Sequence, residues 1–117
     1  GKLALKWTDP SATVVNDGVT LATWAKTTVV VKAGGYATDP DDADAAYRLA
    51  VTTRNQYASS PLTVTGLQNG VTYYVSFFPT STDGAVNTGT ANRVTGVPNR
   101  LAISTIAGLT AAHLLRR

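Results

Sequence analysis

Leu3, Leu5 and Trp7 stand at every second position of the run L-A-L-K-W, which sends them to one face of a strand that ends at the turn-forming pair Asp9-Pro10. The next stretch, Ser11 to Trp24, sets Val14-Val15 and Val19 to Leu21 on either side of Asn16-Asp17-Gly18. It reads either as a small hairpin inserted between two strands or as a long loop. Thr27 to Lys32, T-T-V-V-V-K, is a β-branched strand closed by Gly34-Gly35. Asp39-Pro40 opens an acidic loop, and strand pattern returns from Tyr47 to Val51 and again, briefly, from Leu62 to Thr65. Asn69-Gly70 then introduces the most aromatic run of the chain, Val71 to Phe78, with Tyr73, Val75 and Phe77 on one face and Tyr74, Ser76 and Phe78 on the other. Asp83-Gly84 turns the chain, and Ala91 to Val97 reads as a last strand before Pro98.

About seven short strands parted by turn signals, with no helical period before the tail, predict an all-β antiparallel sandwich. Residues 1–98 form that domain, and residues 99–117 are a C-terminal extension of different character. Within the extension, Leu101 and Ile103 alternate as in a strand, whereas Ile103, Ile106, Ala107, Ala111 and Leu114 fall at helical spacing. The reading is therefore open between a strand over Arg100 to Ile106 and a short amphipathic helix over 105–115, with Arg116 and Arg117 at its favourable C-terminal end.

Composition sharpens this picture. Glu, Met and Cys are absent while Thr, Val and Tyr abound, a mixture suited to pleated surfaces. Without cysteine there is no disulfide framework and no thiolate nucleophile. The net charge of +3 is concentrated in Arg100, Arg116 and Arg117; residues 1–99 carry seven acids and seven bases. A neutral body with Lys2, Lys6, Lys26 and Lys32 at outward positions lacks the basic face of a nucleic-acid binder. The longest apolar stretch, LAISTIAGLTAAHLL, is too short and too interrupted for a membrane span.

The order LALKW, TTVVVK, GLQNGVTYYVSF, ANRVTGVP resembles a fibronectin type III domain, an immunoglobulin-like β-sandwich, entered at its second strand. The resemblance implies that Trp7 is the core tryptophan of that strand. Leu67 and Tyr73 match the family's Leu-turn-Tyr spacing, so Tyr73 is expected to form a tyrosine corner whose hydroxyl bonds backbone near Leu67. An aromatic ring burying roughly 150–250 Å² gains about 4–6 kcal/mol in transfer free energy, so the aromatic run reads first as core and corner. The second half, TRNQYASSPLTVTGLQNGVTYYVSFFP with the return VNTGTANRVTGVP, is similar to fibronectin type III-like modules in tail and host-contact proteins of tailed bacteriophages. That similarity implies a non-enzymatic virion module of a tail, neck or capsid decoration, localised to the virion. Its partners would be other structural subunits, homo-oligomeric in the assembly, with a host cell-surface glycan as a further contact. Comparable modules of bacterial secreted or surface proteins imply the alternative, a carbohydrate-binding or spacer role outside the cell.

Two features depart from the family. Its first strand is missing, and the chain continues past the last expected strand. An unpaired edge beside Leu3 to Trp7 is a hydrogen-bonding template, so Arg100 to Ile106 is expected either to fold back onto that edge or to pair with a neighbouring subunit; trimming of an ordinary first strand is the other explanation. Expected assembly contacts are Leu3, Leu5, Leu101, Ile103, Ile106 and Leu114.

Candidate chemistry is sparse. Asp39, Asp41, Asp42 and Asp44 are the one carboxylate cluster; without the glycine turn and distal Glu of a helix-loop-helix calcium site they read as a solvated loop, so no metal and no cofactor is expected. His113 is the sole histidine, and the aspartates fall in turns, which supplies no catalytic constellation. Trp24, Tyr36, Tyr47 and Tyr57 stand outside the clear core strands, either as a stacking surface for carbohydrate or as packing beneath loops.

Overall fold

The computed structural model describes residues 1–99 together with the backbone of 104–107. Eight strands are formed, with no helix among the described residues: β1 (Leu3–Lys6), β2 (Thr13–Asn16), β3 (Val19–Ala33), β4 (Tyr47–Val51), β5 (Leu62–Val64), β6 (Tyr73–Ser81), β7 (Arg93–Gly96) and β8 (Ser104–Ala107). They build two sheets. The smaller has the order β5-β1-β8; the larger runs β2-β3-β6-β7, with β4 also paired to β3. All pairings are antiparallel except β1 with β8.

One core joins the two sheets. Leu3, Leu5 and Trp7 meet Val29 and Val31 of β3, Val75 and Phe77 of β6, Leu62 and Val64 of β5, and Val51 of β4. The faces follow from the period of two: Tyr73, Val75 and Phe77 point into this core, while Phe78 joins Val30 and Ala37 in a second, smaller cluster on the outer face of the large sheet. Segment 34–46 covers that cluster through Ala37 and Ala45, and Val86 packs against it from the following loop.

Strand ends moved where partners decided them. The first strand stops at Lys6, so Trp7 lies just beyond it, its ring 5.1 Å from Phe77 and 5.2 Å from Tyr57. The aromatic strand begins at Tyr73 rather than Val71 and runs past Phe78 to Ser81, through Pro79. Pro79 is tolerated because β7 reaches only to Ser76 along this strand. The Pro79 carbonyl, on the side away from β3, accepts from the Asn87 N–H at 2.9 Å, and the missing donor faces that same strand-free side.

The stretch 11–24 resolves as a hairpin. Asp17 (φ 51°) and Gly18 (φ 76°) occupy both central positions of its two-residue turn, the pair of positive φ values that keeps a right-twisted ribbon closed. Consequently Thr27 to Lys32 is only the second half of a 15-residue strand, and its first part, Val19 to Thr23, runs beyond the end of β6.

The tail takes one of its two open readings. Residues 104–107 are a strand, in parallel register with β1 from Leu3↔Ser104 to Lys6↔Ala107, and not the first turn of a helix. This is the fold-back alternative: the β1 edge offers free backbone groups, and a paired edge outweighs weak helical periodicity interrupted by Gly108. The rest of the helix expected over 105–115 lies outside the described residues, as do Leu101, Ile103 and Leu114.

Candidate functional site

Three regions of the surface and one buried cluster hold the residues with chemical potential. The buried cluster was not legible beforehand. Asp9, 3% exposed, sits where the chain leaves β1, and its Oδ1 accepts from Trp7 Nε1 at 3.0 Å and from Thr27 Oγ1 at 2.7 Å. Thr27 Oγ1 in turn accepts from Trp24 Nε1 at 3.0 Å. The other oxygen, Oδ2, accepts from the Asn55 N–H at 2.7 Å, while the Asp9 N–H donates to Asn55 Oδ1 at 2.9 Å. Asn55 holds a left-handed φ of 59°, which suits its reciprocal pairing with Asp9. This network cross-links β1, β3 and the 52–58 loop. Sequence reasoning placed Asp9 in a turn and gave it no role; its only signal was its position two residues after an indole.

The aromatic side chains read either as a stacking surface for carbohydrate or as packing beneath loops do not gather on one surface. Trp24 is buried, its indole N–H spent on Thr27. Tyr47 and Tyr57 pack against the inner core, where burial, with Tyr57 adding to it, pushes the Tyr47 hydroxyl above its ordinary pKa. Tyr36 lies on the opposite, outer side, edge-on to Tyr74 at 5.0 Å and beneath the Arg93 guanidinium at 4.8 Å.

The acidic loop is folded on itself and pinned to the sheet. Asp39 Oδ1 accepts from the Asp41 N–H, and Asp42 Oδ1 from the Asp44 N–H. Asp42 Oδ2 pairs with Lys32 Nζ at 3.0 Å, and Arg48 donates to the carbonyls of Pro40 and Asp42. The Asp44 N–H and then Lys32 hold the Asp42 carboxyl below its usual pKa. Among the described residues no three acidic or histidine side chains group so as to hold a metal. A groove of about 360 Å³ beside this loop is lined by Lys26, Thr28, Asp41, Arg48, Thr80 and Val86 among others, with Arg48 already committed to the loop carbonyls.

Tyr73 and Trp7 occupy architectural positions. Tyr73 Oη accepts from the Gln68 N–H at 2.9 Å, closing the bend between Leu67 and β6. Of the residues expected at assembly contacts, Leu3 and Leu5 are fully buried, so their side chains belong to the core, and the β1 edge they lie on is taken by β8. Ile106 is opposite Leu5 in that pairing.

The accessible apolar surface lies elsewhere. Among the described residues four large hydrophobic side chains are exposed, and three of them, Val15 (55%), Val19 (59%) and Leu21 (50%), belong to the β2–β3 hairpin. A two-stranded ribbon has little to stabilise it in water beyond its own ladder, and this one carries a single charged residue, Asp17, at its tip. Sequence reading located its turn but named none of these three side chains as contacts.

No protein-family model matches the chain, and no curated protein or solved structure matches it. No helix among the described residues is long and apolar enough to cross a membrane.

Proposed function

We propose that this chain is a non-enzymatic, fibronectin type III-like module of a bacteriophage virion, working in a tail, neck or capsid decoration through protein–protein contacts. The observation that carries the reading is the projecting β2–β3 hairpin: on a neutral body whose core is closed by Trp7 and Tyr73, the exposed large hydrophobic side chains among the described residues are concentrated on one ribbon whose β2 edge no described strand covers. Isolated two-stranded ribbons with apolar side chains in water are marginal, and contact with another protein supplies what they lack. The immunoglobulin-like assignment is supported by the two sheets around one core and by the hydroxyl of Tyr73 bonded near Leu67. Mass spectrometry of density-banded particles from the producing culture tests the proposal. Peptides of this chain at constant ratio to the other particle proteins are the expected result; their recovery only from cell-surface or secreted fractions overturns it.

A second reading, a carbohydrate-binding module, rests on the half-buried Tyr36, Tyr74 and Arg93 group of the outer face. Retention of the chain on host wall polysaccharide, lost in Tyr36→Ala, would favour it over the virion assignment.

A further inference from the structure

We infer that the free edge of β2 pairs with the same edge of a second copy, so that two hairpin arms join around a two-fold axis into one continuous sheet. The inference supplies a partner for the contact-module reading and rests on it, while its experiment reads the arm alone.

Backbone parity fixes the register. The Ala12 carbonyl accepts from the Trp24 N–H, and Asn16 opposite Val19 closes the two-residue turn, so Ala12, Val14 and Asn16 direct their backbone groups toward β3. By alternation, Thr13 and Val15 direct theirs outward, and among the described residues β2 is the last strand on its side of the sheet. An antiparallel partner must match outward residues with outward residues. For a second copy of β2 this is met by placing Val14 opposite Val14 and Thr13 opposite Val15, with each Thr13–Val15 pair exchanging two main-chain hydrogen bonds.

The chemistry of the strand suits this self-pairing. Thr13, Val14 and Val15 are high in β-propensity and the strand is uncharged, the facing positions become Val against Val and Thr against Val, and the half-exposed Val15 is covered. The nearest charge, Asp17, is three residues from the axis in each copy. The two carboxylates are thus about 20 Å apart along the ribbon, beyond two Debye lengths at physiological salt, and do not oppose the contact. Three paired strand residues per chain, Thr13 to Val15, make a small interface compared with the roughly 800 Å² per partner of a stable complex, so association is weak in dilute solution and gains from the local concentration of a repeating assembly.

The test uses the full chain, which has no native cysteine. Sedimentation from about 10 µM to about 1 mM should show the 12.2 kDa chain shifting toward twice its mass. Val14→Cys should form a symmetric disulfide dimer on mild oxidation, because non-hydrogen-bonded antiparallel neighbours bring β-carbons close enough to bridge, and Val15→Cys, which faces Thr13, should cross-link at least tenfold less. Val15→Pro removes only an outward N–H, and Val15→Lys places charge on the edge; each should keep the chain monomeric with unchanged Trp emission and midpoint. If the proline variant does not fold, the lysine variant decides. A chain monomeric throughout, equal cross-linking at positions 14 and 15, or a dimer that survives Val15→Lys overturns the inference. Recovery in virions of a chain that stays monomeric would sink the arm pairing and leave the module reading standing.

Discussion

Replacing Asp9 by Asn changes one oxygen to an amide and tests the buried cluster directly. The residue is enclosed, and its two oxygens serve three donors: the indole of Trp7, the hydroxyl of Thr27 and the main-chain amide of Asn55. If the Asn oxygen keeps the Oδ1 position, its NH₂ faces the Asn55 N–H, donor against donor; if it flips, the Trp7 and Thr27 bonds are both lost. Either arrangement leaves at least one buried donor unpaired, which costs about 1–3 kcal/mol. Asp9→Ala removes every acceptor, and three donors at that rate would cost up to about 9 kcal/mol; water entering beside the half-buried Asn55 reduces this to about 3–5 kcal/mol. A domain of this size has roughly 5–15 kcal/mol in total, so Asp9→Ala approaches the limit of folding while Asp9→Asn does not. Urea unfolding followed by Trp emission should rank wild type above Asp9→Asn above Asp9→Ala with similar slopes. Thr27→Val leaves the Trp24 N–H orphaned and should cost about 1–3 kcal/mol, and its double variant with Asp9→Asn should deviate from additivity by about 0.5 kcal/mol or more. An Asp9→Asn chain within about 0.5 kcal/mol of wild type would refute the network, since surface substitutions produce changes that small.

Tyr73→Phe deletes the acceptor of the Gln68 N–H but keeps the ring, and should lower stability by about 0.5–1.5 kcal/mol in the same assay with the fold retained. Asp42, bonded to the Asp44 N–H and Lys32, and Asp83, bonded to the Ser81 hydroxyl and the Ala85 N–H, both have folded-state pKa values below the ordinary 3.8. Their contribution is therefore complete above that value and lost as pH falls through the lower folded values. Thermal melts should show a midpoint declining below about pH 4, with a shallower decline in the Asp42→Asn, Asp83→Asn double variant; parallel acid limbs would contradict the assignment. About 5 mM calcium should leave the melting midpoint unchanged, because the carboxylates of Asp39 and Asp42 are already used by backbone amides and Lys32; a rise of several degrees would restore the metal reading.

The sequence alone determined the features that depend on near neighbours. A pleat of period two assigns Leu3, Leu5, Val75 and Phe77 to the inside and Phe78 to the opposite face whatever the partner strand. The Asp17-Gly18 turn needs only its own two residues to accept positive φ. Tertiary structure decided where strands stop, which edges meet and which polar groups are buried. Tyr73–Ser81 runs through Pro79 because, among the described residues, only the isolated Thr80–Val86 bridge and no strand lies on that side, and Ser104–Ala107 is extended because the β1 edge accepts it. Asp9 is interior because Thr27 and Asn55, 18 and 46 residues away in the chain, converge on it. Local conformation is set within a few residues by sterics and turn chemistry. Edge pairing and polar burial are set by groups distant in sequence, whose meeting no local pattern encodes.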